Sequence, residues 1–265
     1  MSDLLQVERD GVVALVTLNR PEVRNAFNAE LIAALTEAFE ALAAEPAEAL
    51  RAVMLAGAGS AFCAGADVEW MRAAAGLDEA ANEADAGRLA TMLEAIDTCP
   101  APVVARVHGA SLGGGMGLCA VSDVVVATAD ATFGFTETRL GILPAVIGPF
   151  VLPRIGEGNA RALFLTGGRF PAERASKIGL VHEVVADEAA LDARVAAVLD
   201  ELLAAGPTAV REAKALIRRL RGQPAAQARA LTVAAIARQR TSPEGQEGLS
   251  AFLEQRDPSW RETAE

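Results

Sequence analysis

The chain has 265 residues, 52% of them hydrophobic, and a mean hydropathy of +0.26; that length supports one substantial core with at most a small appendage. A formal charge of −11 with no basic block excludes electrostatic nucleic-acid binding, and the longest uncharged runs, 107–122 and 140–153, are too short and too broken by Gly and Pro for a membrane span. No secretory signal opens the chain at Met1-Ser2-Asp3, Cys63, Cys99 and Cys119 have no CxxC spacing, and His108 and His182 lie far apart, so the expectation is a reduced, cytoplasmic protein without a metal site.

In chain order, Leu4 to Glu8 and Val12 to Leu18 read as a hairpin around Asp10-Gly11. Asn28 caps a helix from Ala29 to about Ala44, with Leu31, Ile32, Leu35, Phe39 and Leu42 on one face. Arg51 to Ala56 is a strand, and Asp67 caps a short helix through Met71. Residues 73–87 are polar and alanine-rich and read as a mobile stretch; a helix over 88–97 then runs into the Cys99-Pro100-Ala101-Pro102 break. Strands at 103–107 and 124–127 bracket a glycine turn and a helix, and Pro144, Pro149 and Pro153 divide an apolar stretch. From Asn159 the pattern is almost wholly helical, at roughly 159–165, 172–178, 188–205, 207–221, 224–239 and 244–255. The organisation is therefore an α/β core, residues 1–190, followed by a helical region, 191–265.

Two turns carry chemistry. Gly113-Gly114-Gly115 lies between the strand Val103–Val107 and the helix-like run from Met116, so backbone N–H groups are exposed where a helix begins. A second small-residue turn, Phe62-Cys63-Ala64-Gly65-Ala66-Asp67, also follows a strand. Two such turns can aim two N–H donors at one oxygen atom, which is an oxyanion hole for an activated carbonyl.

The ordered set of motifs resembles the enoyl-CoA hydratase/isomerase (crotonase) superfamily. It includes Leu18-Asn19-Arg20-Pro21, Arg24-Asn25-Ala26-Phe27-Asn28, the two turns, Ser122-Asp123, and Phe133-Gly134-Phe135-Thr136-Glu137 with Leu140-Gly141. Leu165-Thr166-Gly167-Gly168, Gly179-Leu180-Val181 and the run Glu247 to Glu254 extend the likeness over nearly the whole chain. The resemblance implies an α/β spiral of ββα units, a helical trimerisation region and assembly as a homotrimer or homohexamer. It implies a coenzyme A thioester as substrate, with no cofactor besides the coenzyme A that the substrate carries. It places the oxyanion donors on the backbone of Ala66 and Gly114 and the acyl-CoA along Ala64, Ala66, Asp67, Val68 and Gly114, with Arg24 near a phosphate.

Family hydratases carry two glutamates that share one water. One falls on Glu137; at the other position this chain has Gly117. A lone carboxylate suits an isomerase, which moves one proton between two carbons, and two divide the work of hydration. The apolar run before Glu137 is expected to raise its pKa. Glu69-Trp70-Met71, Gly115-Met116-Gly117-Leu118 and the Phe135–Ile147 region are similar to methylglutaconyl-CoA hydratase-type sequences of leucine breakdown. That likeness implies a dicarboxylic enoyl-CoA; Arg139, or another basic residue near the pocket, is the candidate to bind its distal carboxylate, and Gly117 leaves space. Asp67 reads as a helix cap, Glu69 and Glu83 as possible substitute acids or solvated side chains, Cys63 and Cys119 as core residues, and His108 as a hydrogen-bonded core residue. An isomerase, a dehalogenase, hydrolase or decarboxylase of the family, and an inactive CoA-binding scaffold stay open beside the hydratase.

Overall fold

Gly11, at φ 53°, turns the chain between strands β1 (Leu5–Asp10) and β2 (Val13–Leu18), which pair antiparallel. The computed structural model describes residues 3–262, so the first two residues and the last three of the 191–265 region lie outside the description. Helix α1 (Ala29–Ala43) starts at Asn28, whose side chain accepts from Leu31 N–H, and leads to β3 (Ala52–Gly57). Then follow α2 (Val68–Ala74), α3 (Glu79–Thr98), β4 (Val103–Val107), β5 (Ala110–Leu112), α4 (Gly114–Val121), β6 (Val124–Thr128) and β7 (Thr132–Gly134). After α5 (Gly148–Thr166) come β8 (Arg169–Pro171), α6 (Ala172–Lys177), β9 (Glu183–Val185), α7 (Glu188–Ala204), α8 (Pro207–Leu220), α9 (Ala225–Thr241), α10 (Pro243–Glu254) and α11 (Ser259–Glu262).

The strands form a six-stranded sheet, ordered β1-β2-β3-β4-β6-β9, and a three-stranded one, β5-β7-β8. Beyond the β1–β2 hairpin the large sheet is parallel. Its strands are apolar runs because both faces are covered. Val53, Leu55, Val103, Ala105, Val107, Val125 and Ala127 join the main core, to which α1 contributes Leu31, Leu35 and Phe39 and α3 Met92, Leu93 and Ile96. On the other face Leu191, Val195 and Val198 of α7 cover Val104 and Val126. Phe27, Phe39, Phe62, Phe133 and Phe135 are fully buried, each contributing about 2–3 kcal/mol.

The chain leaves the large sheet after β3, β4 and β6, runs through a second layer, and enters a helix. In that layer Cys63 bridges Ser111 in parallel, and Ser111 pairs Phe133 in parallel. Three ββα turns of a spiral are thereby stacked in register, as the resemblance implied. Local boundaries differ from the sequence reading. Asp78, not a mobile stretch, precedes α3: its side chain accepts from Ala81 N–H, and Asn82 ties the turn to the carbonyls of Ala74, Leu77 and Asp78. Helix α5 starts eleven residues before Asn159, because Pro149 occupies the first turn, where its missing N–H costs nothing; the helix is kinked at Gly156, φ 73°. The expected division at 190/191 cuts α7, a helix that belongs to the sheet; burial falls away only from α8 onward.

Candidate active site

Register builds the site. Cys63, Ser111 and Phe133 lie side by side, and the chain turns just beyond each of them, through Gly65 and Ala66, Gly113 and Gly114, and Phe135 and Thr136. The ladder continues into the turns: Leu112 N–H donates to Cys63 O at 3.0 Å and Gly113 N–H to Gly134 O at 2.9 Å. Gly113 is at φ 49° and Gly65 at φ 94°, and a Cβ placed on Gly113 would lie 3.7 Å from Gly65 Cα. No larger residue fits that approach without strain.

Phe27 secures the first turn from its far side. Its N–H donates to Gly65 O at 2.7 Å and its carbonyl accepts from Asp67 N–H at 2.9 Å. This parallel bridge uses the groups on either side of Ala66 and leaves the Ala66 N–H undonated among the described residues. Gly114 opens α4, and its N–H also donates to no described residue. Adjacent parallel strands lie about 4.8 Å apart. Two amides at such a spacing would admit one oxygen about 2.9 Å from each, the arrangement an oxyanion hole needs.

Beside these turns is a cavity of about 280 Å³. Ala64, Gly65, Ala66, Gly113, Gly114 and Glu137 line it, and Trp70, Met71, Leu89, Leu140, Leu143 and Ile147 supply apolar surface. Glu137 begins a short 3₁₀ turn, Glu137–Leu140, that follows the third stacked turn. Its Oε1 lies 3.5 Å from the position of a Gly113 Cβ, while Oε2 is buried without a hydrogen-bond partner. Burial raises its pKa above the usual glutamate value, and its own backbone N–H offsets this in part. A carboxyl held this way keeps its proton more readily than an exposed glutamate, which suits it to give one up and take one back.

The expected residues do not all meet here. Asp67 is buried and doubly engaged, accepting from Glu69 N–H at 2.8 Å and paired with Arg20 at 2.8 Å. It caps α2 and fastens the first turn to the Arg20 loop, so its role is positional. Arg24 is exposed at φ 52°, and its carbonyl accepts from Ala64 N–H at 2.9 Å. Val68 is 63% exposed and outside the lining. Arg139, expected to hold a distal carboxylate, is turned away: its Nε donates to Thr166 O and its chain packs on Gly167. Gly117 leaves no room, since a Cβ there would stand 2.7 Å from Ile147 Cγ2 and 3.2 Å from Leu93 Cδ2. Glu69 is exposed and paired with Arg72, and Glu83 is exposed on α3; neither lines the cavity.

Cys63 and Cys119 are buried, their thiols pushed up to about 12 by desolvation, so neither is a nucleophile. His108 is buried, with Nε2–H donating to Gly59 O at 2.7 Å and Nδ1 accepting from Arg106 at 3.2 Å. Asn25 went unremarked in the sequence as a hub. It is fully buried at φ 55°, donates to Ala58 O and Ala61 O, and accepts from Arg20 N–H. Asp85 was also unmarked: it faces the cavity from α3, at a spacing of four residues before Leu89 and seven before Met92. That register was readable only once the helix was extended back to Glu79. Among the described residues no helix is long and apolar enough to cross a membrane.

The chain matches known proteins along almost all its length. A family model described as enoyl-CoA hydratase/isomerase covers residues 8–263. The solved structure of Pseudomonas aeruginosa AtuE superposes with a TM-score of 0.94 at 38% identity, covering 97% of this chain and 99% of that one. An enoyl-CoA hydratase from Mycobacterium smegmatis gives 0.92 at 38% identity, over 98% and 99% of the two chains. One from Shewanella pealeana gives 0.92 at 36% identity, over 97% and 96%. Likeness of this extent, in sequence and backbone together, makes the chain a member of the enoyl-CoA hydratase/isomerase family, an enzyme with the crotonase fold.

Proposed function

We propose that the protein hydrates an enoyl-CoA through a thioester enolate, with Ala66 and Gly114 N–H on the carbonyl oxygen and Glu137 exchanging the α-carbon proton. The observation that carries this reading is the pair of undonated amides, each three residues beyond the bridged residues Cys63 and Ser111, lining one cavity with a carboxyl of raised pKa. Negative charge grows on the thioester oxygen as the α-carbon gains or loses a proton. Each fixed donor there is worth about 3 kcal/mol of barrier. No cofactor is needed beyond the coenzyme A of the substrate, whose phosphates Arg24 is free to meet from the surface.

The acyl group is best read as a plain apolar chain. None of the described lining residues is Lys, Arg or His, and a distal carboxylate buried without a counter-charge is costly. With Arg139 turned to Thr166 and Gly117 closed by Ile147 and Leu93, a dicarboxylic substrate has neither partner nor space at the positions expected for it. Leu140, Ile142 and Leu143 line the cavity yet are 62%, 51% and 73% exposed, which suits an acyl chain or a neighbouring subunit covering them. Ile217, Phe252 and Leu253, 65%, 81% and 78% exposed on α8 and α10, suit assembly into a homotrimer or homohexamer.

A second reading is Δ3-Δ2 isomerisation by Glu137 alone, favoured by the packed apolar surroundings of Gly117. Both readings are tested with a panel of 2-enoyl and 3-enoyl-CoAs, following the absorbance of the conjugated thioester. Hydration removes it; isomerisation creates it. Full turnover by Glu137→Gln would overturn both.

A further inference from the structure

The cavity that Glu137 lines holds a second carboxylate, on α3. Helix α3 buries Asp85, Met92, Leu93 and Ile96, with Leu89 half-buried between them. The spacing 85, 89, 92, 93, 96 is one face of an α-helix, so an aspartate occupies a position the helix otherwise gives to core side chains. Asp85 is 8% exposed and lines the cavity with Glu137; they are the two carboxylates among its described lining residues. Arg88, one turn on, pairs with Asp85 Oδ1, and its own side chain is 57% exposed. Oδ2 receives no hydrogen bond from any described residue. A wholly alkyl substrate packed over that oxygen would leave it without a donor, which is unfavourable. Water, as a donor of two hydrogen bonds, removes the cost. Hydration consumes a water at the far end of the double bond from the thioester.

We propose that Asp85 is a catalytic residue that binds the attacking water, doing the work of the family glutamate this chain lacks. The proposal rests on the hydratase reading above. In the step, the water oxygen bonds to the β-carbon and one of its protons passes to Asp85 Oδ2. The π electrons of the double bond move into the enolate held by Ala66 and Gly114. Protonated Glu137 gives its proton to the α-carbon, and the carbonyl reforms. Asp85 ends protonated and Glu137 ionised; one proton carried back through solvent restores both, so the net change is the addition of one water.

The test separates water addition from enolate formation. With the full-length protein, hydration of crotonyl-CoA is followed by absorbance. Exchange of the α-hydrogens of butyryl-CoA in D2O, which needs Glu137 and the two amides but no nucleophilic water, is followed by mass spectrometry. Asp85→Asn is expected to lower kcat for hydration about 100-fold or more while exchange stays within about threefold, and Asp85→Glu to recover part of the hydration. Hydration by Asp85→Asn within about threefold of wild type overturns the proposal. So does a parallel loss of hydration and exchange without recovery in Asp85→Glu, since that is what a structural role gives. Wild-type protein that exchanges but hydrates nothing removes Asp85's role and leaves the enolate chemistry standing; wild-type protein that does neither removes the underlying reading itself.

Discussion

The stacked turns and the last three long helices are built on opposite terms. Between β3 and Ile147 the backbone is tied by parallel pairing, seven of the eight residues of α4 are buried, and glycines sit where a Cβ would collide. Helices α8, α9 and α10 together bury a single described residue, Ala251. A parallel ladder fixes position across the chain to within a strand spacing, which suits donors that must meet one atom. Exposed helices carry apolar stripes but no such registration, which suits a surface meant for another molecule.

The comparison is most sharply tested by Glu137→Gln. Activity is expected to fall by about 10²–10⁴-fold, while the fold is retained and gains stability at neutral pH. The sign follows from the raised carboxyl pKa: the native state favours the protonated acid, so the wild type loses stability as pH rises from the usual glutamate value through the native one. The Tm difference between variant and wild type should therefore be smallest in acid and grow across that window. A Tm gap that shrinks with pH would contradict the burial argument.

Gly114→Ala comes next. Its Cβ would stand 2.6 Å from the Phe27 ring, so either Phe27 or the donor moves. Because Phe27 also clamps the Ala66 turn, we expect a loss in kcat of about 10²-fold, the size of removing one oxyanion donor, with KM changed little. Gly117→Glu should not raise hydration above the wild-type rate, because its side chain would be driven into Ile147 and Leu93. Its expected effect is a loss of about 1–3 kcal/mol, read as a lower denaturation midpoint. The smallest effect on the chain itself is expected from Phe252→Asp. Phe252 is 81% exposed, so stability within one protomer should change by less than about 0.5 kcal/mol, whereas sizing chromatography should show loss of the proposed trimer or hexamer. An unchanged assembly would remove α10 from the subunit interface.

Much of this arrangement was legible in the residues and some was not. The two glycine turns, the Asn28 and Asp67 caps and the helices after 188 follow from local rules that need only a few neighbouring residues. The register joining Cys63 to Ser111 and Ser111 to Phe133 links segments about 20 to 50 residues apart in sequence, and no local pattern encodes it. The same limit explains Gly117 and Arg139. A missing side chain reads as space until Ile147 and Leu93 are seen to fill it, and an arginine beside a glutamate reads as near the site until its guanidinium is found at Thr166. Asp85 escaped because α3 carries many alanines and charges before Leu89, which mask the short inward face on which it lies.

In the proposed mechanism the stacking of three turns also divides labour among the repeats. The first two contribute main-chain groups, indifferent to which side chain accompanies them, provided nothing collides. The third contributes a side chain alone, at Glu137. A lineage can therefore exchange the acid at that third turn, or add another from α3, and so redirect the fate of a common intermediate without rebuilding the grip that stabilises it.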